Sequence, residues 1–493
     1  MSDRTLFPLL EQAARNWPKD IAQVRGSHRL TFLQLKAAAE QLAAECLRAD
    51  IKPGDKIGLM CPNGPEYVIG SFALFSIDAV VVPIFPGLKE LEIAALDAEL
   101  RLDGICYSPK FKSELPKDFT NDPLGVELNE TEITLYIQKH CSKNPRHDFN
   151  DKPLGDEAPL IRFTSGTTSK AKGVIIPQYS MLEYAHRFAD VYAIKKGDCI
   201  LNLLSMAHIF YQIAAGMLRG AKLVVEDTTD AQAINRVISQ EKVTHIEAAP
   251  SFYLMSLNAG DWSPADFRRV RYITSCGAPL ADNLAATFRK RFGREIVQRY
   301  GLTETGPVLI NTAEDEQKRG SLGIPAPNCE VRLSTHSEAS LTDVGEIQVR
   351  CLGLFSGYYS PWTPRSAVLE NGWFSTGDIA RKDTDGYYWM TGRTKTMINV
   401  GAVKVFPSEL ENILLSDGAV KEAHVYAAED ARFGEVPHAK VVLQPGSART
   451  QKELLQYVNR SLSVFKAVRQ IEIVTHLAKT QTGKIKRYEP TKT

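Results

Sequence analysis

The stretch Phe163–Val174, FTSGTTSKAKGV, gathers three Thr, two Ser, two Gly and two Lys into twelve residues. Hydroxyls and backbone N–H groups on a glycine-loosened loop can wrap phosphate oxygens, and a lysine adds positive charge. Leu160 and Ile161 precede it, and Val174, Ile175 and Ile176 follow. The order is therefore strand, polar loop, strand. A flexible Ser/Thr/Gly linker has no reason to carry β-branched strands on both sides. A Walker A loop does not fit: its second glycine would fall on Ala171, and Gly173 rather than Ser or Thr follows Lys172. Further along, Tyr300-Gly301-Leu302-Thr303-Glu304 sets a hydroxyl and a carboxylate beside a glycine. By itself, a Glu after a turn is a solvated surface group. His208 among apolar residues and Lys484 in a basic tail likewise have ordinary structural readings.

The elements that must position these residues alternate. Leu6, Leu9, Leu10 and Ala13, then Leu35, Ala38, Leu42 and Cys46, repeat at helical steps. The segment 52–86 reads as loop, strand, helix, strand, which argues for layered α/β structure with parallel strands. Within it, Tyr67–Phe85 is mostly apolar, but Asp78 and Pro83 interrupt it. A buried helix ending near Ile77 and a strand at Val80–Ile84 fit better than a membrane span. Residues 107–157 are polar and carry several prolines, and are expected to be a poorly patterned surface connection. Residues 243–256 and 270–280 each read as a strand feeding a turn of small residues. Binding groups sit naturally at such carboxyl ends in open α/β sheets. The last hundred residues change character. Glu409–Leu415 and Thr450–Ser463 read as helices, and Val420–Ala427 and Ala439–Leu443 as strands, which makes a small α+β unit.

Taken together, these blocks resemble the adenylate-forming superfamily of acyl-CoA synthetases, luciferases and peptide-synthetase adenylation domains. Its phosphate loop reads [YF]TSGTTGxPKG; here Ser169 and Ala171 replace the usual Gly and Pro. The block YGxTE is matched by Tyr300–Glu304. GGAPL is matched with Cys276 in place of the first Gly, GEIxVR by Gly345–Arg350, and GYY by Gly357–Tyr359. The early GAVxVP strand carries Asp78 for Gly, and the PxTxxGKxxR ending carries Ala478 for Pro. The blocks span about 50 to 490 in the family's order.

The resemblance implies an α/β fold: a large N-terminal domain of layered α/β subdomains, residues 1–394, and a small mobile C-terminal α+β domain, residues 395–493. It implies that Thr164, Ser165, Gly166, Thr167, Thr168 and Lys172 hold ATP phosphates. Gly277, Ala278, Pro279, Tyr300 and Gly301 would also bind ATP, with Tyr300 stacking on adenine, and Asp378 and Arg393 would hold the ribose. Thr303 would contact the α-phosphate, Glu304 would hold Mg²⁺, and Lys484 would be the catalytic lysine. His208 would lie between the two substrates. Amino-acid-activating members often carry Asp at the position after it; this chain has Ile209. An unpaired ammonium there would be costly, so the acid is expected to have an apolar or aromatic tail. Its pocket would involve His208, Ile209, Phe252, Cys276 and Gly277. Lys395 would be the hinge, and Gly401 would let the backbone approach a pantetheine arm.

The implied activity is ATP-dependent formation of an acyl-adenylate, followed by transfer to a thiol. That thiol is the CoA of a fatty or aromatic acid–CoA ligase, or alternatively the phosphopantetheine of a separate acyl carrier protein. A degenerate nucleotide-binding protein is the remote alternative. Composition is consistent with this. A chain of 493 residues needs more than one core. A net charge of +1 makes no electrostatic case for nucleic acid or an anionic membrane. Eight scattered Cys form no CxxC motif, which argues against zinc and for free thiols in a reducing compartment. With no basic-then-apolar start, the expected location is the cytoplasm.

Overall fold

The computed structural model describes residues 5–139, 160–164, 172–226, 228, 230–260, 262–277, 280, 282–312, 316–334, 343–400, 403–430, 433–460, 462, 466–479 and 485. Among them, two nine-stranded sheets, one four-stranded sheet and one five-stranded sheet form the scaffold.

The first sheet has a parallel centre. Val297–Leu302, Tyr272–Ser275, His245–Ala248, Cys199–Asn202, Lys222–Val225 and Ile21–Arg25 pair in that order. Antiparallel strands Gly306–Ile310 and His28–Thr31 flank it. The second sheet is parallel through Leu160–Thr164, Val80–Pro83, Lys56–Met60 and Gly104–Tyr107. Lys56–Met60 is buried along its whole length, as a parallel strand covered on both faces must be.

The apolar stretch at 67–85 divides as the sequence predicts, into a helix Pro65–Ser76 and a strand Val80–Pro83. The helix is buried nearly all round. Phe72 and Phe75 meet Phe210 with ring centroids 5.4 and 5.6 Å apart. Among the described residues no helix is long and apolar enough to cross a membrane. Asp78, which stands in place of the glycine in the resembled family pattern, takes a left-handed φ of 56°, a conformation that Asp tolerates better than most side chains. The helix Phe32–Arg48 starts at a reciprocal cap. Gln34 N donates to Thr31 Oγ1 at 3.2 Å, and Thr31 N donates to Gln34 Oε1 at 3.0 Å.

One expectation is corrected. Residues 107–157 include a hairpin, Leu124–Leu128 with Ile133–Lys139, which extends the second sheet beside Gly104–Tyr107. Val126, Leu128, Ile133, Leu135 and Ile137 alternate inward and are buried. Between them Glu127 is exposed, while Tyr136 stacks on the buried Tyr107 with ring centroids 5.5 Å apart.

The third sheet is antiparallel: Cys329–Ser334, Val344–Cys351, Phe374–Lys382 and Tyr388–Arg393. A short turn, Thr394–Thr396, leads from it to Ile398–Val400 in the fourth sheet. That sheet, with helices Pro407–Leu415 and Gln451–Asn459, encloses its own core, which runs from Ile398 to Ile471. The small α+β unit is therefore packed around a separate interior.

His245 shows how tightly the first sheet is closed. It is 1% exposed. Its Nε2 lies 3.0 Å from the Tyr192 carbonyl and its Nδ1 2.8 Å from Thr244 Oγ1. A neutral ring protonated on Nε2 satisfies both partners. Burial pushes its pKa down from 6.5 to about 4. The unfolded chain therefore takes up this proton first, and stability falls as the pH drops from 6.5 towards 4. The gap is worth about 3 kcal/mol. The thermal midpoint is expected to fall across that window and to fall less in His245→Gln. Equal slopes in the two proteins would contradict the assignment.

Candidate active site

The Tyr300 block folds as a tight hairpin between Val297–Leu302 and Gly306–Ile310. Gly301 is required there, because a Cβ would lie 2.0 Å from the Gly306 carbonyl oxygen. At the start of the hairpin the Tyr300 hydroxyl donates to Asp378 Oδ2 at 2.7 Å. Asp378 belongs to Phe374–Lys382 and pairs in register with Arg393 on the neighbouring strand. Arg393 Nε lies 2.6 Å from Asp378 Oδ1. Three sequence-predicted residues, far apart in the chain, thus form one contact. Asp378 is fully buried, and burial pushes its carboxyl upward against the pull of Arg393 and Tyr300. An ionised carboxylate has about four acceptor sites, so Asp378 has capacity for two further hydroxyl donors.

Glu304 is at the hairpin tip. Its carbonyl accepts from Phe355 N at 2.9 Å. Its Oε1 accepts from the Tyr358 hydroxyl at 3.0 Å. Tyr358 in turn belongs to Gly357–Tyr358, which pairs antiparallel with Lys172–Ile176. Lys172–Ile176 pairs with Leu160–Thr164, with Thr164 opposite Lys172. The carboxylate of Glu304 is therefore tied to the hairpin that carries the Ser/Thr-rich loop. Ser165, Gly166, Thr167, Thr168, Ala278, Pro279, Gly401 and Lys484 lie outside the described residues. For Thr164, Lys172, His208, Ile209 and Lys395 the backbone alone is described. His208 and Ile209 are in the first turn of helix Met206–Arg219.

Arg187, which sequence reasoning missed, braces this hairpin from below. It is 1% exposed and is among the largest fully buried side chains. Its Nη1 reaches the carbonyls of Thr305 and Pro307 at 3.4 and 3.3 Å, and its Nη2 donates to the Leu352 carbonyl. Gly353 follows, and its carbonyl accepts from Tyr184 at 2.7 Å.

On the acid side the structure separates two expected partners. Phe252 sits in helix Pro250–Asn258 and packs on Tyr253 and Trp262, in a core shared with Ile246 and Ile273. Cys276 instead stands on the opposite face of the sheet. Arg299 Nη2 donates to its Sγ at 3.2 Å, and its thiol is 3.8 Å from Glu247 Oε2. Gly277 follows with φ +82°, a left-handed turn that favours glycine. Glu247 and Arg299 were not expected from sequence. The available signal was a carboxylate inside the apolar run His245–Ala248, and an arginine directly before Tyr300.

The fold, and the meeting of Tyr300, Asp378 and Arg393, agree with the expectation of an adenylate-forming enzyme. Residues 10–359 match the AMP-binding enzyme family model, and residues 409–484 match the AMP-binding enzyme C-terminal domain. The chain belongs to the AMP-binding enzyme family and is an AMP-forming acid–thiol ligase acting on small carboxylic acids. It is 29% identical to a feruloyl-CoA synthase of an Amycolatopsis species, over 97% of this chain and 96% of that one. It is 28% identical to an indoleacetate–CoA ligase of Aromatoleum aromaticum, over 93% and 92%. An o-succinylbenzoate CoA synthetase from Bacillus subtilis, solved with its acyl-adenylate intermediate, superposes with a TM-score of 0.82. It shares 25% identity, covering 97% of this chain and 96% of that one.

Proposed function

We propose that this enzyme joins an aromatic or fatty acid to CoA through an acyl-adenylate. The observation that carries the reading is the tie between Glu304 and the phosphate-loop hairpin, set beside the buried Tyr300–Asp378–Arg393 group. The relatives support CoA as the acceptor, since those similar over nearly their whole length are named as CoA ligases.

A carboxylate is a poor electrophile, and its attack on the α-phosphorus of ATP brings two anions together. In this reading the loop from Thr164 to Lys172 grips the leaving pyrophosphate. Tyr300 offers its ring to adenine, and Asp378 and Arg393 hold the ribose hydroxyls. Thr303 donates to the α-phosphate, and Lys484 brings an ammonium to the junction of the two anions. Positioning and charge stabilisation then supply most of the catalysis. The oxygen-only carboxylate of Glu304, oriented by Tyr358, suits a hard cation, and Mg²⁺ bound there would supply positive charge to phosphate oxygens. His208 and Ile209 begin the helix that borders the acid, with Cys276 and Gly277 across from it. The unit after Lys395 then turns about that residue, withdraws Lys484 and presents Gly401 to the pantetheine arm. The thiolate attacks the acyl carbon, and AMP leaves. The free cysteines among the described residues are in keeping with a cytoplasmic location.

The test is pyrophosphate release with ATP, Mg²⁺ and a panel of fatty, aryl and amino acids, each with and without CoA. Release is expected with aryl or fatty acids, with turnover only when CoA is present. Activity confined to amino acids, or a single turnover that CoA does not extend, would overturn the reading. The second outcome would assign the acceptor role to a carrier protein.

A further inference from the structure

The acid-ligase reading above is the basis for a narrower one, which names the kind of acid. Glu247 pairs in register with Thr274, and Thr274 with Val297. Arg299 is two residues beyond Val297 and Cys276 two beyond Thr274, so all four side chains share one face of the sheet. Helix Met206–Arg219 covers that face through Tyr211, whose hydroxyl accepts from Arg299 Nη1. Arg299 Nη2 donates to Glu247 Oε2 at 2.8 Å, and Thr274 Oγ1 donates to Glu247 Oε1 at 2.5 Å. The side chains of Arg299 and Glu247 are 7% and 1% exposed. Cys276 and Gly277 are the residues expected to line the acid, and Tyr211 is one helical turn from His208 on the same helix.

Taking both charges out of water is costly, and well-packed apolar residues would fill the space at least as favourably. A plain hydrocarbon tail gains nothing from such a wall. The hydrogen-bond balance shows what is missing. Glu247 accepts from Thr274, Arg299 and Cys276. The buried Arg299 Nε–H and Tyr192 O–H have no partner among the described residues. Tyr192 packs on Tyr272, two residues before Thr274, at 5.2 Å. Tyr211, having accepted from Arg299, still has its own proton to give. The unpaired atoms of Arg299 and Tyr192 are donors, and an acceptor on the ligand would satisfy them. Arg299 and Glu247 neutralise each other, so a second carboxylate on the ligand would be a buried charge without compensation.

We propose that Arg299, Glu247 and Tyr211 are specificity-determining residues that select an acid carrying a neutral oxygen, a hydroxyl or a carbonyl, at the end remote from the reacting carboxylate.

The experiment compares kcat/KM for acid-dependent pyrophosphate release in matched pairs: cinnamate with 4-hydroxycinnamate, and hexanoate with 6-hydroxyhexanoate. A site built around hydrogen bonds rejects the analogue that leaves its polar groups unpaired. The hydroxylated member of the productive pair is expected to be favoured at least about tenfold. In Glu247→Leu/Arg299→Met, which removes the charges together, that ratio should fall to about one. Tyr211→Phe keeps the ion pair and should lower the ratio by about fivefold, which decides the matter if the double variant fails to fold. Equal use of both members by the unaltered enzyme, or a ratio that survives these variants, would overturn the inference while leaving the ligase reading intact. Silence with every acid, ATP still being bound, would overturn the ligase reading and this inference with it.

Discussion

Lys484→Ala is expected to lower acyl-adenylate formation by at least about 100-fold, the scale on which removing one preorganised charge-stabilising donor is felt. The reaction drives an anionic oxygen into an anionic phosphate, and the Lys484 ammonium is the cation proposed for their meeting point. Its effect belongs to the transition state, so ATP affinity should remain largely intact. A second readout separates this from general damage. Supplied with preformed acyl-adenylate and CoA, the variant should still make thioester, because the proposed turn about Lys395 takes the lysine out of that half of the reaction. Unimpaired adenylate formation, or equal loss in both halves, would contradict the role.

Glu304→Gln should cost adenylate formation about 100-fold and raise the Mg²⁺ concentration needed for half-maximal rate. The substitution nearly preserves volume, and its amide oxygen can still accept from Tyr358, so the hairpin keeps its shape while the charge is lost. The structure also sets a graded companion. Tyr358→Phe removes the bond that orients Oε1 at 3.0 Å but leaves the carboxylate, and should cost about tenfold. An unchanged Mg²⁺ requirement in Glu304→Gln would remove Glu304 from cation binding, whatever happened to the rate.

The Tyr300 block of the candidate site was legible because it runs into a tight turn, where few residue types serve. Gly301 is forced by the 2.0 Å approach of the Gly306 carbonyl, so the block around it is readable in one dimension. The helix–strand break at 76–80 was readable because Asp78 interrupts an otherwise unbroken apolar run. The hairpin at 124–139 was not, because its solvent-facing residues and turn outweigh the alternating Val126, Leu128, Ile133, Leu135 and Ile137. The Glu247–Arg299 pair was hidden for a different reason. Its members are 52 positions apart and meet only because intervening strands bring both onto one face. Arg187 reads as one charge on an amphipathic helix. Only the packed structure turns it inward onto the Thr305 and Pro307 carbonyls. Phe252 looked like a pocket residue because it follows a strand end, yet the helix starting at Pro250 carries it into the core beyond the sheet.

The most direct test of the central claim is the fate of a carboxylate oxygen. An accepted acid labelled with ¹⁸O in its carboxylate should pass one labelled oxygen to AMP during complete turnover with ATP, Mg²⁺ and CoA. Attack of that oxygen on the α-phosphorus leaves it there when the thiol displaces AMP. Unlabelled AMP, with label instead in inorganic phosphate or pyrophosphate, would contradict an acyl-adenylate and the assignment of every residue proposed to stabilise it.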